Sequence, residues 1–213
     1  MSNAYYNCTN LTGSPVCGAN VTSMYSTYRN CSNLTGSPVC GDKVTNMGSA
    51  YYNCYNLTGS PACGANVTDM SYAYSNCSNL TGSPACDNNV TSMVRTYYNC
   101  FNLTGSPVCG NKVTNMSYAY YMCKNLYGNA YFYSSSVGNI QGCFAGRNNS
   151  KRLNIYVTSG STTNTTIHCN NSYSLVGASI TWSNSSTYQY NTTYNIYIYP
   201  VANVAAARAA NGD

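Results

Sequence analysis

Apolar and polar positions recur along this chain at an interval of 23 residues without a slip. One phase is held by Leu11, Leu34, Leu57, Leu80, Leu103 and Leu126, another by Val21, Val44, Val67, Val90 and Val113, and a third by Met24, Met47, Met70, Met93 and Met116. Tyr5, Tyr28, Tyr51, Tyr74, Tyr97 and Tyr120 keep the same step, as do Cys8, Cys31, Cys54, Cys77, Cys100 and Cys123, and Cys17, Cys40, Cys63, Cys86 and Cys109. The polar letters between them, Thr-Gly-Ser and Asn-x-x, are turn chemistry at a fixed phase. A unit this short, with a handful of apolar positions and no long helical pattern, cannot bury a face by itself and must stack on its neighbours. The pattern therefore predicts a repeat solenoid, a parallel β-solenoid of 23-residue coils, over residues 1–128: five full repeats and a partial sixth. Rungs separated by about 4.8 Å would set Leu, Val, Met, Tyr and Cys in inner ladders.

Each leucine is followed by Thr-Gly-Ser-Pro, and Pro15, Pro38, Pro61, Pro84 and Pro107 each delete a hydrogen-bond donor. Strands on that side are expected to be short or irregular. The repeat changes at Tyr127-Gly128-Asn129. Strand-like runs follow at Leu153–Val157, Thr166–Cys169, Ala178–Trp182 and Tyr194–Tyr199, and predict a small β-rich C-terminal capping domain over 129–200. The alanine-rich tail, 201–213, reads as one short helix or a loose arm.

The segment Val44-Thr45-Asn46-Met47-Gly48-Ser49-Ala50-Tyr51-Tyr52-Asn53-Cys54-Tyr55-Asn56-Leu57-Thr58 resembles the repeat of BspA-like leucine-rich bacterial surface proteins, in which V-T-x-M-x-x-x-F-x-x-C-x-x-L-T recurs. The resemblance implies a leucine-rich-repeat-like solenoid and a surface protein, bacterial or phage-encoded. This chain departs from that family after the leucine, where L-T-G-S-P-[VA]-C replaces L-x-x-L-x-L.

Composition narrows the function classes. Only 6% of residues are charged, glutamate is absent, and 24 tyrosines dominate the aromatic content, which suits a folded chain and not a disordered one. The net charge of +5 is scattered except at Arg147, Lys151 and Arg152, read as a solvated loop, so nucleic acid is not an expected partner. No stretch approaches the ~20 apolar residues of a membrane span, and the first residues lack the pattern of a signal peptide. The chain starts in phase within a coil, which leaves an open first rung; the expectation is either that the chain is the C-terminal part of a longer solenoid or that other protein chains dock there.

The cysteines admit two readings: a disulfide in each coil, such as Cys8 with Cys17, or a ladder of buried free thiols. A zinc site is not expected, since there is no C-x-x-C pair and His168 is the only histidine. Sequons such as Asn10-Leu11-Thr12 place their leucine in the expected core, so they read as a by-product of the repeat. Asp42, Asp69 and Asp87 fall at different phases and His168 has no evident acidic partner, so neither a catalytic group nor a cofactor is expected. The tyrosines Tyr6, Tyr52, Tyr98 and Tyr121, replaced by Arg29 and Ser75 in other coils, are expected to form an exposed row. The expected function is that of a non-enzymatic structural or adhesive component of a virion or bacterial cell surface, extracellular in location. Surface glycans are possible ligands, and a dedicated glycan- or receptor-binding module is the alternative.

Overall fold

A computed structural model describes residues 1–132, 140–146, 150–158, 165–168, 179–182, 189–191 and 196–212. The described residues are mostly strand-poor β structure and turns, with small sheets, largely parallel, and one short helix among them. Successive 23-residue units lie one on the next, and their hydrogen bonds explain both the stacking and the scarcity of strands.

The unit from Met24 to Asn46 is representative. Its first part, Met24 to Cys31, is a run of overlapping turns in which Thr27, Arg29 and Cys31 donate their N–H to the carbonyls of Met24, Ser26 and Tyr28 at 2.9, 3.3 and 3.1 Å. The intervening N–H groups of Met24, Ser26, Tyr28 and Asn30 donate to Asn46, Gly48, Ala50 and Tyr52 of the next unit at 2.8–2.9 Å. From Ser26 to Cys31 every backbone donor is thus satisfied, alternately between units and within the unit, and Tyr25 N–H donates to Ser23 Oγ at 3.3 Å. The alternation requires a left-handed residue at two places per unit, and the structure has them at Ser26 (φ 49°) and Asn30 (φ 62°), repeated at Ser49 and Asn53, Tyr72 and Asn76, Arg95 and Asn99. Left-handed residues forbid an extended strand, so this side is a column of turns.

Regular pairing between units shrinks elsewhere to single parallel bridges, Ser23 to Asn46, Asn46 to Asp69, Asp69 to Ser92 and Ser92 to Asn115. Beside them runs a threonine column, in which Thr45, Thr68, Thr91 and Thr114 each direct both N–H and Oγ1 at the carbonyl of the threonine one unit earlier. On the proline side one backbone bond per unit remains, Thr35 to Gly13 at 2.9 Å and its equivalents. The first pair of strands arises there: β1 (Thr104–Gly105) lies parallel to β2 (Asn125–Leu126). Short, irregular pairing beside the prolines agrees with the expectation from their missing N–H groups.

The interior is filled by the repeating apolar residues. Met47, Tyr51, Cys54, Leu57 and Val67 are fully buried, as are their counterparts in the following units, whereas Cys8 is exposed and Tyr5 and Leu11 are partly buried. The tyrosine rings stack face to face from Tyr5 to Tyr120 at 5.1–5.5 Å. Their hydroxyls cross the unit and close a gap that proline creates. The residue after each proline has no sheet partner; Tyr51 Oη accepts from Val39 N–H at 3.2 Å and donates to Val39 O at 2.7 Å. The same double bond joins Tyr28 to Val16, Tyr74 to Ala62, Tyr97 to Ala85 and Tyr120 to Val108.

Stacking does not stop at residue 128. Tyr118, Tyr120 and Met122 donate to Gln141, Cys143 and Ala145 at 2.7–3.0 Å, and Phe144 lies parallel to Tyr120 at 5.8 Å. Here a phenylalanine suffices, because opposite it stands true sheet: β3 (Gly128–Phe132) is parallel to β4 (Leu153–Thr158), and Phe132 packs on Phe144 at 6.2 Å. Backbone groups that a strand already pairs need no tyrosine hydroxyl. β5 (Thr165–His168) pairs antiparallel with β6 (Ser179–Trp182), and β7 (Gln189–Asn191) pairs antiparallel with β8 (Ile196–Val201), which lies parallel to β4 in the order β3-β4-β8-β7. These strands form where apolar and polar residues alternate: Leu153, Ile155, Ile196 and Ile198 are buried and Asn154, Tyr156, Tyr197 and Tyr199 are half-buried. The tail contains a short helix, α1 (Val204–Ala210), capped by the Asn203 side chain, which accepts from Ala206 N–H at 3.0 Å. Arg147, Cys169, Ala178, Tyr194 and Asn195 lie outside the described residues.

An aromatic and arginine stripe on the turn column

The turn column carries the candidate functional surface. The backbone alternation sets two phases on this face, the left-handed residue that begins the turn run and the residue three places on: serines at these phases (Ser26, Ser49, Ser75) are buried, whereas the tyrosines and arginines are half-buried or exposed and meet side chains of adjoining units. Tyr6, Tyr52, Tyr98 and Tyr121 occupy the second of these phases, with Arg29 between the first two. The guanidinium carbon of Arg29 stands 5.8 Å from the centre of the Tyr6 ring and 4.6 Å from that of Tyr52. Tyr98 and Tyr121 stack on each other at 4.6 Å. Ser75, at the same phase, is buried and interrupts the row.

The gap at Ser75 is filled from the other phase. Tyr72 lies 6.4 Å from Tyr52 at an interplanar angle of 54°. Arg95 sits among Tyr72, Tyr98 and Tyr118, its guanidinium carbon 5.8, 5.5 and 5.3 Å from the three rings, and Tyr118 meets Tyr121 edge to face at 6.0 Å. The row of four tyrosines expected from spacing is therefore part of a longer stripe in which tyrosines alternate with two arginines. Tyr72, Arg95 and Tyr118 were invisible to a reading by single phase. Their backbone was the missing signal: all three are left-handed, with φ of 59°, 50° and 55°, a conformation that costs a non-glycine residue of this bulk roughly 1 kcal/mol or more.

Between the first two segments of the stripe is a cleft of about 430 Å3, lined by Tyr25, Arg29, Gly48, Tyr52, Asp69 and Tyr72. Gly48 keeps it open. Equivalent positions hold Tyr25, Ser71, Val94 and Ser117, and a Cβ at Gly48 would stand 3.1 Å from Tyr25 Cδ2 and Asn46 Oδ1 and 3.3 Å from Asp69 Oδ2. Asp69 Oδ1 accepts from Ser71 N–H at 2.8 Å, the same local turn that Asn46 makes with Gly48, which leaves Oδ2 against the bare glycine. Arg29 Nε is buried without a hydrogen-bond partner, the single such side-chain atom found among the described residues.

The cysteines form part of the scaffold. None of the twelve described cysteines forms a disulfide, so the thiol reading fits them and no Cys8–Cys17 bridge forms. Cys54, Cys77, Cys100 and Cys123 donate to the carbonyls of Tyr28, Tyr51, Tyr74 and Tyr97 one unit earlier at 2.9–3.1 Å. Burial pushes the Cys40 thiol up to about 11 and those of Cys63 and Cys86 up to about 12, and carries Cys77 and Cys100 well above the ordinary range. A thiol held protonated is a poor nucleophile and a poor metal ligand. An asparagine column accompanies them on the turn side: Asn30, Asn53, Asn76 and Asn99 each donate Nδ2 to Oδ1 of the asparagine one unit earlier at 2.6–2.9 Å. No family of known proteins, no curated protein and no solved structure matches this chain.

Proposed function

We infer that the chain is a leucine-rich-repeat-like solenoid akin to the BspA-like surface proteins, a non-enzymatic structural or adhesive component displayed on a phage virion or a bacterial cell, where it mediates assembly or attachment. The stripe of tyrosines and arginines on the turn column carries this reading. Rigid aromatic rings supply contact area with little entropy to lose, guanidinium groups supply a planar fork of donors, and both are enriched where one macromolecule grips another. Low charge and stacked polar columns suit a scaffold that displays such a stripe repeatedly. Buried thiols that bond to tyrosine carbonyls accord with folding in a reducing compartment, which favours a particle protein over an exported one.

The test is attachment. Fluorescently labelled chain is titrated onto a panel of intact bacterial cells, beside a variant in which Tyr98 and Tyr121 are both replaced by serine, the residue found at Ser75. Saturable binding that weakens about tenfold or more in the variant supports adhesion through the stripe; absence of saturable binding to every surface, or binding indifferent to the substitutions, removes it. Antibody labelling of intact particles and cells reads the location. The alternative of a dedicated glycan-binding module draws its support from the cleft beside Gly48.

A further inference from the structure

We propose that the cleft between Tyr25, Tyr52 and Tyr72 is a binding site for one neutral pyranose ring of a surface glycan. The inference rests on the reading of the stripe as an adhesive surface and names what one part of it recognises.

Three features of the cleft fit a sugar and fit other ligand classes poorly. Its walls are tyrosine rings: Tyr52 and Tyr72 are half-buried and held by contacts along the stripe, and Tyr25 stands exposed at the rim, so that flat faces are offered to the C–H face of a pyranose. Its polar groups are mixed in sign. Arg29 lines the cleft and brings guanidinium donors, and Asp69 brings Oδ2, whose neighbour Oδ1 is already committed to Ser71. A polyol is donor and acceptor at every hydroxyl and can answer both groups at once. An organic cation would meet the Arg29 charge, and a phosphate or sialic-type carboxylate would meet Asp69, so a ligand without net charge is the one both residues accept. The volume, about 430 Å3, lies in the lower part of the ~300–1,000 Å3 range of small-molecule sites and suits one ring with its substituents. The opening also depends on a glycine that the repeat itself does not demand, since Tyr25, Ser71, Val94 and Ser117 fill the same phase in other units. Gly48 is thus a local departure whose structural effect is a vacancy.

The repeat supplies variants that other units already tolerate. Gly48→Val installs the residue of Val94 and fills the cleft. Asp69→Asn installs the residue of Asn46 and Asn115, which keeps the side-chain turn through Oδ1 and removes the carboxylate. Saturation-transfer NMR is run on the full chain with methyl glycosides of glucose, galactose, mannose and N-acetylglucosamine, and with N-acetylneuraminic acid and choline as charged comparators. The expected result is transfer to the ring-face protons of at least one neutral glycoside. It should weaken about tenfold or more in Gly48→Val and Asp69→Asn, in line with loss of a charged hydrogen bond, with little response from either charged comparator. Binding of no neutral glycoside by a wild-type chain with native circular dichroism overturns the proposal, as does binding that both variants leave unchanged or a preference for a charged comparator. The same variants are carried through the cell-attachment titration. If attachment persists at full strength in Gly48→Val and no glycoside binds, the sugar site falls and the adhesive reading stands. If the wild type does not attach but binds a glycoside in the cleft, the adhesive reading falls and the sugar site stands.

Discussion

Replacing Tyr74 by phenylalanine removes one oxygen atom and strands two backbone groups. The hydroxyl accepts from Ala62 N–H at 3.1 Å and donates to Ala62 O at 2.6 Å, and the ring is fully buried between Tyr51 and Tyr97 at 5.4 and 5.5 Å. Phenylalanine keeps the ring, its stacking and its apolar area, so the whole effect falls on the two bonds. A buried group left without a partner costs about 1–3 kcal/mol. Ala62 is only half-buried, which lets water reach part of the vacancy and sets the expectation for the pair at about 2–3 kcal/mol. The loss should be local, since each unit in a stacked array contacts only its neighbours. Native-state hydrogen exchange reads it directly: protection of the Ala62 amide should fall about 30- to 150-fold, with a lower urea midpoint by circular dichroism. An Ala62 amide as protected in the variant as in the wild type would refute the assignment of the tyrosine column as the partner of the proline side.

The buried thiols make stability fall at high pH. In the unfolded chain a cysteine gives up its proton near 9, whereas Cys40, Cys63 and Cys86 hold theirs to about 11, 12 and 12 in the fold, so the unfolded state binds fewer protons as pH rises. Their contribution is complete below pH 9 and is lost between about 9 and 12; urea midpoints measured across that window should decline, and flat values would contradict the burial. Alkylation of the native chain near neutral pH should label the exposed Cys8 before Cys54, Cys77 and Cys100, read by peptide mass spectrometry. Asn76→Ala removes bonds to Asn53 at 2.7 Å and from Asn99 at 2.8 Å and places alanine at a φ of 64°; a loss of about 2–3 kcal/mol in chemical denaturation is expected, and Asn76→Gly, which relieves the backbone, should cost less.

The period was fully legible, because a 23-residue unit repeated without insertion fixes which residues lie over one another whatever the backbone does between them. Leu57, Met47, Tyr51 and Cys54 could therefore be placed in columns from spacing alone. The path of the backbone was less legible. Ser26, Ser49, Tyr72 and Arg95 adopt left-handed conformations that such residues rarely take, so nothing in their identity announced a run of turns in place of a strand. The same concealment hid half of the stripe: Tyr6, Tyr52, Tyr98 and Tyr121 share one phase, whereas Tyr72, Arg95 and Tyr118 reach them from another. The unit at 140–146 escaped because the interval lengthens to 24 there, Phe144 standing over Tyr120 and Gly142 taking the left-handed place of Tyr118. The role of the tyrosine hydroxyls was not foreshadowed, since the five prolines announced only missing donors and short strands. That one atom per unit would serve both groups of the following residue follows only from the geometry.

The directions of the bonds between units bear on how long such an array can grow. In the unit beginning at Met24, four backbone amides point toward the following unit, through Met24, Ser26, Tyr28 and Asn30. The bonds made elsewhere by the next unit run back the other way: Thr68 N–H to Thr45, Thr58 N–H to Gly36, the Asn53 side-chain amide to Asn30, the Thr68 hydroxyl to Thr45 and the Cys54 thiol to Tyr28. Each amide carries a dipole of about 3.5 D, and in an α-helix these add along the axis. Here the turn column and the opposite columns carry opposed dipoles that offset one another in part. Added units consequently build up less axial polarisation than turns of an α-helix do, and the ends acquire less of the partial charge that a long helix accumulates, so copy number can change with a smaller electrostatic penalty.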